Sequence, residues 1–360
     1  MSRLSRLHRR RSVQTPEPSE RPSGAPMIGS GAPASSSDIA IAYRLLLGRE
    51  PDLAGQDHYS SRIAAGLSLA ELAEEVINSP EFARRHRDVG RYRPDTAIVD
   101  VQGFSIIVEP SDWAVGRTIA SERDYEPEVS ASVRALLDPS CVFVDVGANI
   151  GWYSLLAASL VGNSGRVLAI EPNLRNVALL NASRELNGFT AIEVFAGAAY
   201  DDEVWLALDT DASNGTVIPL GPVTGSAESV ACSYVAPGAT LDRLLDDRGL
   251  FDSVGLVKVD VEGSETRVLR GAAKLLDEVH PPIVFEWYPD ALRKAGGVSP
   301  EAPLDLLREH GYSISAIGYR DRDSDGARDL SNSDIERLLA SSGRDLLDLL
   351  ARVPTPSGQD

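Results

Sequence analysis

The sequence predicts an α/β fold with a doubly wound, mostly parallel sheet, preceded by a small all-helical domain. After Cys141, short apolar runs of strand type alternate with helical runs, a pattern typical of βαβ units. The first of these strands passes directly into a glycine turn, in the stretch VDVGANIG. By contrast, residues 38–88 contain only short helical patterns separated by turn signals.

Residues 38–88 are predicted to form the helical domain. Its first apolar run ends before Gly48, a residue type that favours the end of a helix. Asp52 and Ser68 are expected to cap the second and third helices, because their side-chain oxygens accept the free N–H groups of a first turn. Pro80 is expected to open a fourth helix. Since no convergent set of acids and bases lies here, we interpret this domain as a docking or stabilising element.

The flanks of the helical domain differ from it in composition. Residues 1–37 are rich in Ser, Pro, Gly and Arg and are predicted to be a disordered basic tail. Residues 89–96 are predicted to be a linker. The α/β domain is therefore expected to span residues 97–355.

The α/β domain begins with a predicted hairpin, Ile98–Val101 and Phe104–Val108, and then a helix from Pro127 to Leu137. The periodicity of Leu346–Val353 fits either a strand or a helix. The other strands are predicted at Val142–Val146, Arg166–Glu171, Ala191–Ala196, Val254–Val261, Ile283–Trp287 and Tyr312–Ile317. The other helices are predicted at Ile150–Val161, Leu174–Asn187, Ser264–Glu278, Pro303–His310 and Ser333–Ala340.

Composition narrows the class of function. The 360 residues include 53 acidic and 35 basic side chains, a net charge of −18, which disfavours a nucleic-acid substrate. No apolar run approaches the roughly 18 residues that a membrane helix needs. The two cysteines, Cys141 and Cys232, are too few for a disulfide scaffold and are not spaced like metal ligands, so the reducing cytoplasm is the expected location.

The glycine turn predicts a cofactor site. Ligands of parallel sheets bind at the carboxyl ends of strands, where Gly147 permits the turn and Gly151 lets the next helix lie close to the strand or to the ligand. The helix is expected to begin at Asn149 or Ile150. Glu171 ends the following strand, where an acid accepts both hydroxyls of a ribose.

S-adenosylmethionine (SAM) fits this turn better than a dinucleotide does. Asn149 replaces the middle glycine that close approach of a pyrophosphate requires, and Asn tolerates the left-handed backbone. Asp145, two residues before Gly147, suits a cationic ligand and would repel pyrophosphate.

The stretch LVKVDVEGSE predicts the part of the site that acts on the methyl acceptor. Strand alternation would place Lys258, Asp260 and Glu262 on one face, and a charged row on a central strand costs stability unless it is paired or used. If this charged row has only a structural role, Lys258 and Asp260 form an ion pair that orders the end of the strand. Asp260 and Glu262 are nevertheless our candidates for the catalytic base, whereas Glu265 is interpreted as an acid that favours the helix dipole.

The motifs VFVDVGANIGWYS, VLAIEPN, TLDRLL, LVKVDVEGSETRVLRGA and PPIVFEW together resemble the FkbM-type SAM-dependent methyltransferases. The resemblance covers residues 97–320 and implies a class I Rossmann-like methyltransferase fold, in which Leu346–Val353 is an antiparallel strand. It implies that the methionine end of SAM lies against Asp145, Gly147, Asn149 and Gly151, and the ribose against Glu171. It also places Ala198 and Asp201 near the adenine. Glu126, which lies in the stretch DYEPEV, and Glu286 are placed on the substrate side.

The helical domain resembles a domain of unknown function that is distantly similar to phycobilisome linker domains, through LLGREPDLAGQDHY and NSPEF. That family often accompanies enzymes that handle glycans. We therefore expect an O-methyltransferase acting on a sugar, glycan or natural-product hydroxyl, with the helical domain available to dock another protein.

Three alternatives stay open at this point. A divalent metal held by the same carboxylates would replace the base mechanism. A nicotinamide-dependent sugar oxidoreductase shares the general plan of the fold, and an inactive glycan-associated scaffold would retain it without turnover.

Overall fold

The computed structural model describes residues 34–47, 49–85, 95–211, 213–219, 234–294, 296–319 and 328–354. Most of the predicted N-terminal tail, residues 1–33, and most of the predicted linker, residues 89–94, lie outside the described residues.

Four short helices form the helical domain: α1 (Ser36–Leu47), α2 (Leu53–Ala64), α3 (Leu69–Ile77) and α4 (Pro80–Arg85). The predicted caps are confirmed. The Asp52 side chain accepts the N–H of Gly55, and Ser68 forms a reciprocal capping box with Glu71. Apolar side chains of these helices pack together in one buried cluster.

A hairpin and two helices lead into the main sheet. The predicted hairpin is confirmed as β1 (Ala97–Val101) paired antiparallel with β2 (Phe104–Val108). Helix α5 (Gly116–Glu122) follows, and α6 (Pro127–Leu136) starts at the predicted proline.

Among the described residues, the central sheet has seven strands. They are β3 (Val142–Val146), β4 (Arg166–Ile170), β5 (Ile192–Phe195), β10 (Val254–Val259), β11 (Ile283–Trp287), β12 (Ser313–Ala316) and β13 (Leu347–Arg352), and the labels between β5 and β10 belong to a second sheet described below. Their order is β12-β13-β11-β10-β3-β4-β5. Strands β3, β4, β5, β10 and β11 run parallel, whereas β13 is antiparallel to both of its neighbours. The prediction of a doubly wound, mostly parallel sheet with a last antiparallel strand is confirmed.

Helices cover both faces of this sheet. Val142 and Val144 belong to one buried cluster, and Phe143 between them belongs to another, because alternate side chains of a strand point to opposite faces. Within the described ranges, no helix combines the length and apolar composition that crossing a membrane requires. The helices of this domain are α7 (Trp152–Val161), α8 (Leu174–Asn187), α9 (Leu241–Asp246), α10 (Glu265–Arg270), α11 (Ala273–Glu278), α12 (Pro289–Lys294), α13 (Ala302–Glu309) and α14 (Asn332–Ser342).

The helix predicted over 264–278 is wrong in one respect, because the structure divides it into α10 and α11. Gly271 lies at the break, where a Cβ atom would be 1.9 Å from the carbonyl oxygen of Tyr200. This close approach of another segment is not visible in the local sequence.

Two predicted boundaries next to the site also shift. Helix α7 begins at Trp152 rather than at Asn149 or Ile150, because the turn continues through Gly151, whose φ is 96°. Strand β10 ends at Val259 rather than Val261, and Glu262 has a φ of 51°. Asp260 and Glu262 therefore lie on the loop after the strand, and strand alternation does not govern their directions.

A second sheet, which the sequence did not predict, is inserted between β5 and α9. It comprises β6 (Ala198–Ala199), β7 (Val204–Asp211), β8 (Asn214–Pro219) and β9 (Tyr234–Ala239), in the order β6-β9-β7-β8. Strands β7 and β8 form an antiparallel hairpin that pairs Asp211 with Asn214 at its tip.

The helical domain packs against this second sheet and against α8. Trp205 of β7 and Leu174 of α8 are buried in the same apolar cluster as the side chains of α1 to α4. The backbone N–H of Leu69 donates to the Glu203 carboxylate at 3.2 Å. Arg248, after α9, forms an ion pair with Glu74 of α3 at 3.4 Å. These contacts support the stabilising interpretation of the helical domain.

Glu203→Ala is expected to lower the free energy of unfolding by about 1 kcal/mol, because it removes the acceptor of the Leu69 N–H at the start of α3. Chemical denaturation would measure the change. Glu122→Ala, at an exposed carboxylate of α5, is the control and should leave stability unchanged. Equal effects of the two substitutions would contradict a role of Glu203 in holding the helical domain against the second sheet.

Candidate active site

A cavity of about 970 Å³, which includes space open to solvent, lies at the carboxyl ends of β3, β4, β10 and β11. Parallel sheets bind ligands at this edge. Eight of the residues predicted from the sequence line it: Gly147, Asn149, Glu171, Ala198, Asp260, Glu262, Glu286 and Glu126. Three others, Asp145, Gly151 and Asp201, do not.

The turn after β3 forms one wall of the cavity. Gly147 has a φ of 81°, and Asn149 has a φ of 50°, the left-handed geometry that the sequence predicted asparagine would tolerate. The N–H groups of Gly147 and Ala148 both donate to the carbonyl oxygen of Ile170 at the end of β4. The turn is therefore fixed to the neighbouring strand.

Gly151 lies behind this wall and packs against α8. A Cβ atom at this position would be 2.2 Å from Cδ1 of Leu180. The structure thus explains this glycine by the close packing of α7 on α8.

Asp145 lies beneath the cavity and is fully buried. Ser154 of α7 donates its hydroxyl to Asp145 Oδ2 at 2.6 Å, whereas Oδ1 has no hydrogen-bond partner among the described residues. Burial raises the pKa of Asp145, and the nearby Lys258 opposes this shift. The result is a buried carboxylate next to the turn with unused acceptor capacity.

Glu171 lies at the end of β4 and is 5% exposed. Its carboxylate accepts the backbone N–H groups of Asn149 and Asn173, both at 2.8 Å, and the side-chain amide of Asn176 at 3.3 Å. Burial raises its pKa to about 7, although these hydrogen bonds oppose the shift. Glu171 therefore links the glycine turn to the start of α8 while it faces the cavity.

The two residues expected near an adenine separate in the structure. Ala198 lines the cavity, but Asp201 forms an ion pair with Arg267 of α10 at 2.9 Å and lies away from the cavity wall. The structure accounts for Asp201 as a link between the second sheet and α10.

Lys258 and Asp260 form the predicted ion pair, with Nζ and Oδ2 2.9 Å apart. Lys258 is 4% exposed, lies opposite Asp145 in the β10–β3 register, and has its Nζ 4.6 Å from the Tyr153 ring centroid. Burial lowers the pKa of Lys258, but Asp260 and Asp145 overcome this effect and raise it above the ordinary value. A buried cation that lines the cavity thus lies between two carboxyl groups, those of Asp145 and Asp260.

Glu262 and Glu265 have different surroundings. Glu262 lines the cavity, and burial together with Asp260 raises its pKa to about 7. Glu265 is 2% exposed, and its carboxylate accepts the N–H groups of Val261 and Gly263. The interpretation of Glu265 as a simple dipole acid is therefore incomplete, because its side chain holds the loop that carries Asp260 and Glu262.

Glu126 and Glu286, the two residues predicted on the substrate side, both line the cavity. The Tyr153 hydroxyl donates to Glu126 at 2.6 Å, and Glu286 lies opposite Asp348 in the β11–β13 register. Burial raises the pKa of Glu126 and that of Glu286. The surroundings of Glu126 and Glu286 therefore favour neutral or cationic groups of a ligand over anionic ones.

Sequence reasoning missed several residues of the site. Asn214 and Ser213 reach the cavity from the second sheet, and Tyr125 and Tyr153 also line it. The Asn-Gly pair at 214–215 is a turn signal, but it lies on β8 beyond the Asp211–Asn214 pair, so it would have indicated a hairpin with a shifted register. In the described parts of the chain, no three His, Cys, Asp or Glu side chains are grouped to hold a metal ion.

Two family models match parts of this chain. The model of the Methyltransferase FkbM domain matches residues 145–314, and the model of a domain of unknown function, DUF4214, matches residues 29–86. Residues 145–314 are therefore similar to an FkbM methyltransferase domain, and residues 29–86, which precede them, are similar to a DUF4214 domain. The similarity of the latter to phycobilisome linkers stays a prediction.

Individual relatives are distant. The AMB antimetabolite synthetase AmbE of Pseudomonas aeruginosa is 26% identical over 226 residues, which span 53% of this chain and only 10% of that protein. Methyltransferase FkbM from Methylobacillus flagellatus KT is 16% identical with a TM-score of 0.37, covering 88% of this chain and 58% of that one. The TYW2 protein of M. jannaschii, solved in complex with AdoMet, is 11% identical with a TM-score of 0.34, covering 72% and 86%.

Proposed function

We propose that this protein is a SAM-dependent methyltransferase that methylates a hydroxyl group of a sugar, glycan or natural product. Glu171 carries most of the support, because a buried carboxylate at the end of β4 faces the same cavity as the left-handed turn after β3. The FkbM domain match over residues 145–314 supports the same reaction class.

The residues of the cavity fit SAM. The Glu171 carboxylate would accept the ribose hydroxyls, and the turn from Gly147 to Asn149 would hold the methionine end. Asp145, with its unused Oδ1 beneath the turn, favours a cationic ligand over a pyrophosphate. When bound, SAM would supply an electrophilic methyl group on its sulfonium.

The acceptor hydroxyl needs a base, and two carboxylates beside the cavity qualify. Glu262 has its pKa raised to about 7, which suits proton transfer near neutral pH. Asp260 forms an ion pair with Lys258 at 2.9 Å, which fixes the direction of its carboxylate. We infer that Asp260 or Glu262 takes the hydroxyl proton as the methyl group is transferred.

The charge of the chain supports a small-molecule or glycan acceptor rather than a nucleic acid. Its net charge is −18, and five acidic side chains line the cavity alongside Lys258: Glu126, Glu171, Asp260, Glu262 and Glu286. We also propose that the protein acts in the cytoplasm, in line with its low cysteine content, and that its helical domain stabilises the second sheet or docks another protein.

Calorimetric titration of the full chain with SAM, NAD and NADP tests this function. SAM binding alone is the expected result. Binding of a nicotinamide cofactor without SAM would favour the oxidoreductase alternative, and binding of none of the three would favour an inactive scaffold.

Glu171→Ala is expected to weaken SAM binding about 10- to 100-fold, because hydrogen bonds to a buried charged acceptor are stronger than neutral ones. The same titration measures the change. Glu185→Ala, an exposed carboxylate on α8, is the matched control and should bind SAM as the wild type does. Unchanged affinity in Glu171→Ala would contradict the assignment of the ribose site.

A further inference from the structure

The β7–β8 hairpin extends from the second sheet to the cavity between the turn after β3 and the loop after β10. Leu208, Ser213, Asn214, Gly215 and Val217 of this hairpin line the cavity. Thr216, on the same strand as Asn214, is not part of the lining. The hairpin thus presents one face and its tip to the site.

Asn214 connects the two walls of the cavity. Its Oδ1 accepts a hydrogen bond from Asn149 Nδ2 at 3.2 Å, and its own Nδ2 donates to Glu262 Oε1 at 2.7 Å. One side chain therefore contacts both the predicted cofactor turn and a candidate base.

Both partners of Asn214 have unusual backbones. Asn149 and Glu262 are non-glycine residues with φ values of 50° and 51°. Such conformations persist only where the surrounding structure holds them. Asn214 forms a hydrogen bond with the side chain of each, so its loss would remove one restraint from both positions together.

The tip of the hairpin is anchored by a third element. The carbonyl oxygen of Ser213 accepts Asn176 Nδ2 at 2.8 Å and Asn149 Nδ2 at 3.4 Å. Asn176 also donates to Glu171 at 3.3 Å. The same hydrogen-bond network therefore reaches the proposed ribose carboxylate.

We propose that Asn214 is a positioning residue of the methyl-transfer site, which fixes the Asn149 turn and the Glu262 carboxylate together and closes the hairpin over bound SAM. This inference rests on the proposed function, because it takes the cavity to be the SAM site. Donation from Asn214 favours the ionised form of Glu262, the form that accepts a proton. Asn214 thereby couples the position of the hairpin over SAM to the charge state of Glu262, the candidate base.

Calorimetry with SAM on the full-length wild type, Asn214→Ala and Thr216→Ala tests the inference. Asn214→Ala should bind SAM about tenfold more weakly, because two hydrogen bonds are lost, and Thr216→Ala should stay within about twofold of wild type. Without its donor, Glu262 should be protonated to a higher pH. Binding of cationic SAM at pH about 7.5 should then release more protons in Asn214→Ala than in wild type, as titrations in two buffers of different ionisation enthalpy would show.

If wild type binds SAM and Asn214→Ala binds it equally well with the same proton release, the inference is overturned while the proposed function stands. If wild type does not bind SAM, the proposed function itself fails. Hydrogen exchange on the wild type provides a test that is independent of variant folding. SAM should slow amide exchange in 204–219, and unchanged exchange there would overturn the closing role of the hairpin.

Discussion

Gly147→Ala is expected to lower the free energy of unfolding by about 3 kcal/mol or more, and to remove the SAM binding proposed for this turn. A Cβ atom at this position would lie 1.8 Å from the carbonyl oxygen of Asp260, and the backbone has a φ of 81°. The obstacle is backbone, so no rotamer change relieves it. Separation of the turn from the loop after β10 would displace Asp260 as well.

Gly188→Ala separates the two causes of this effect. Gly188 also has a left-handed φ, 65°, but nothing lies within 4 Å of a Cβ atom there. Gly188→Ala should therefore lower the free energy of unfolding only by the cost of the left-handed backbone, about 1 kcal/mol. Chemical denaturation of both variants measures the difference, and equal losses would show that the contact with Asp260 is not limiting.

The central sheet was predictable because its signals are local. From β3 to α8 the signals are the apolar run of each strand, the glycine turn before α7 and the Asn173 cap of α8, and the prediction of helix α8 at Leu174–Asn187 matches the structure at both ends. The second sheet has weaker signals, since it depends on pairing between segments such as β6 and β9 that are distant in sequence. The break at Gly271 likewise reflects contact with Tyr200, which no local pattern encodes.

The candidate site divides in the same way. Asn149 and the Lys258–Asp260 pair were predicted because backbone geometry and charge pairing act over a few residues. Asn214 was missed because it reaches Glu262 from a residue 48 positions away in the chain. Gly151 has a packing role that appears only when α8 brings Leu180 against it.

Lys258→Met is expected to lower the free energy of unfolding by about 3–5 kcal/mol at neutral pH, because removing one partner of a buried ion pair leaves the other uncompensated. Lys258 is 4% exposed, pairs with Asp260 at 2.9 Å and lies opposite the fully buried Asp145. Methionine fills similar volume without the charge. Urea denaturation measures the loss.

The pH dependence of this loss identifies its cause. Without Lys258, the pKa of buried Asp145 should rise further above its unfolded value. A carboxyl with a raised folded pKa contributes stability below its unfolded pKa and loses it as pH rises through the folded pKa. The deficit of Lys258→Met relative to wild type should therefore grow as pH rises above about 4, the ordinary pKa of an aspartate.

Lys274→Met provides the control, because Lys274 pairs with Asp246 at 3.2 Å on an exposed part of the surface. Its loss should barely change stability at any pH, since exposed ion pairs are screened by solvent. A Lys258→Met deficit that is the same at both ends of the pH range would mean that lost packing, rather than an unpaired carboxylate, destabilises the variant. In that case Asp145 would not depend on Lys258, and the buried cation would act only on Asp260.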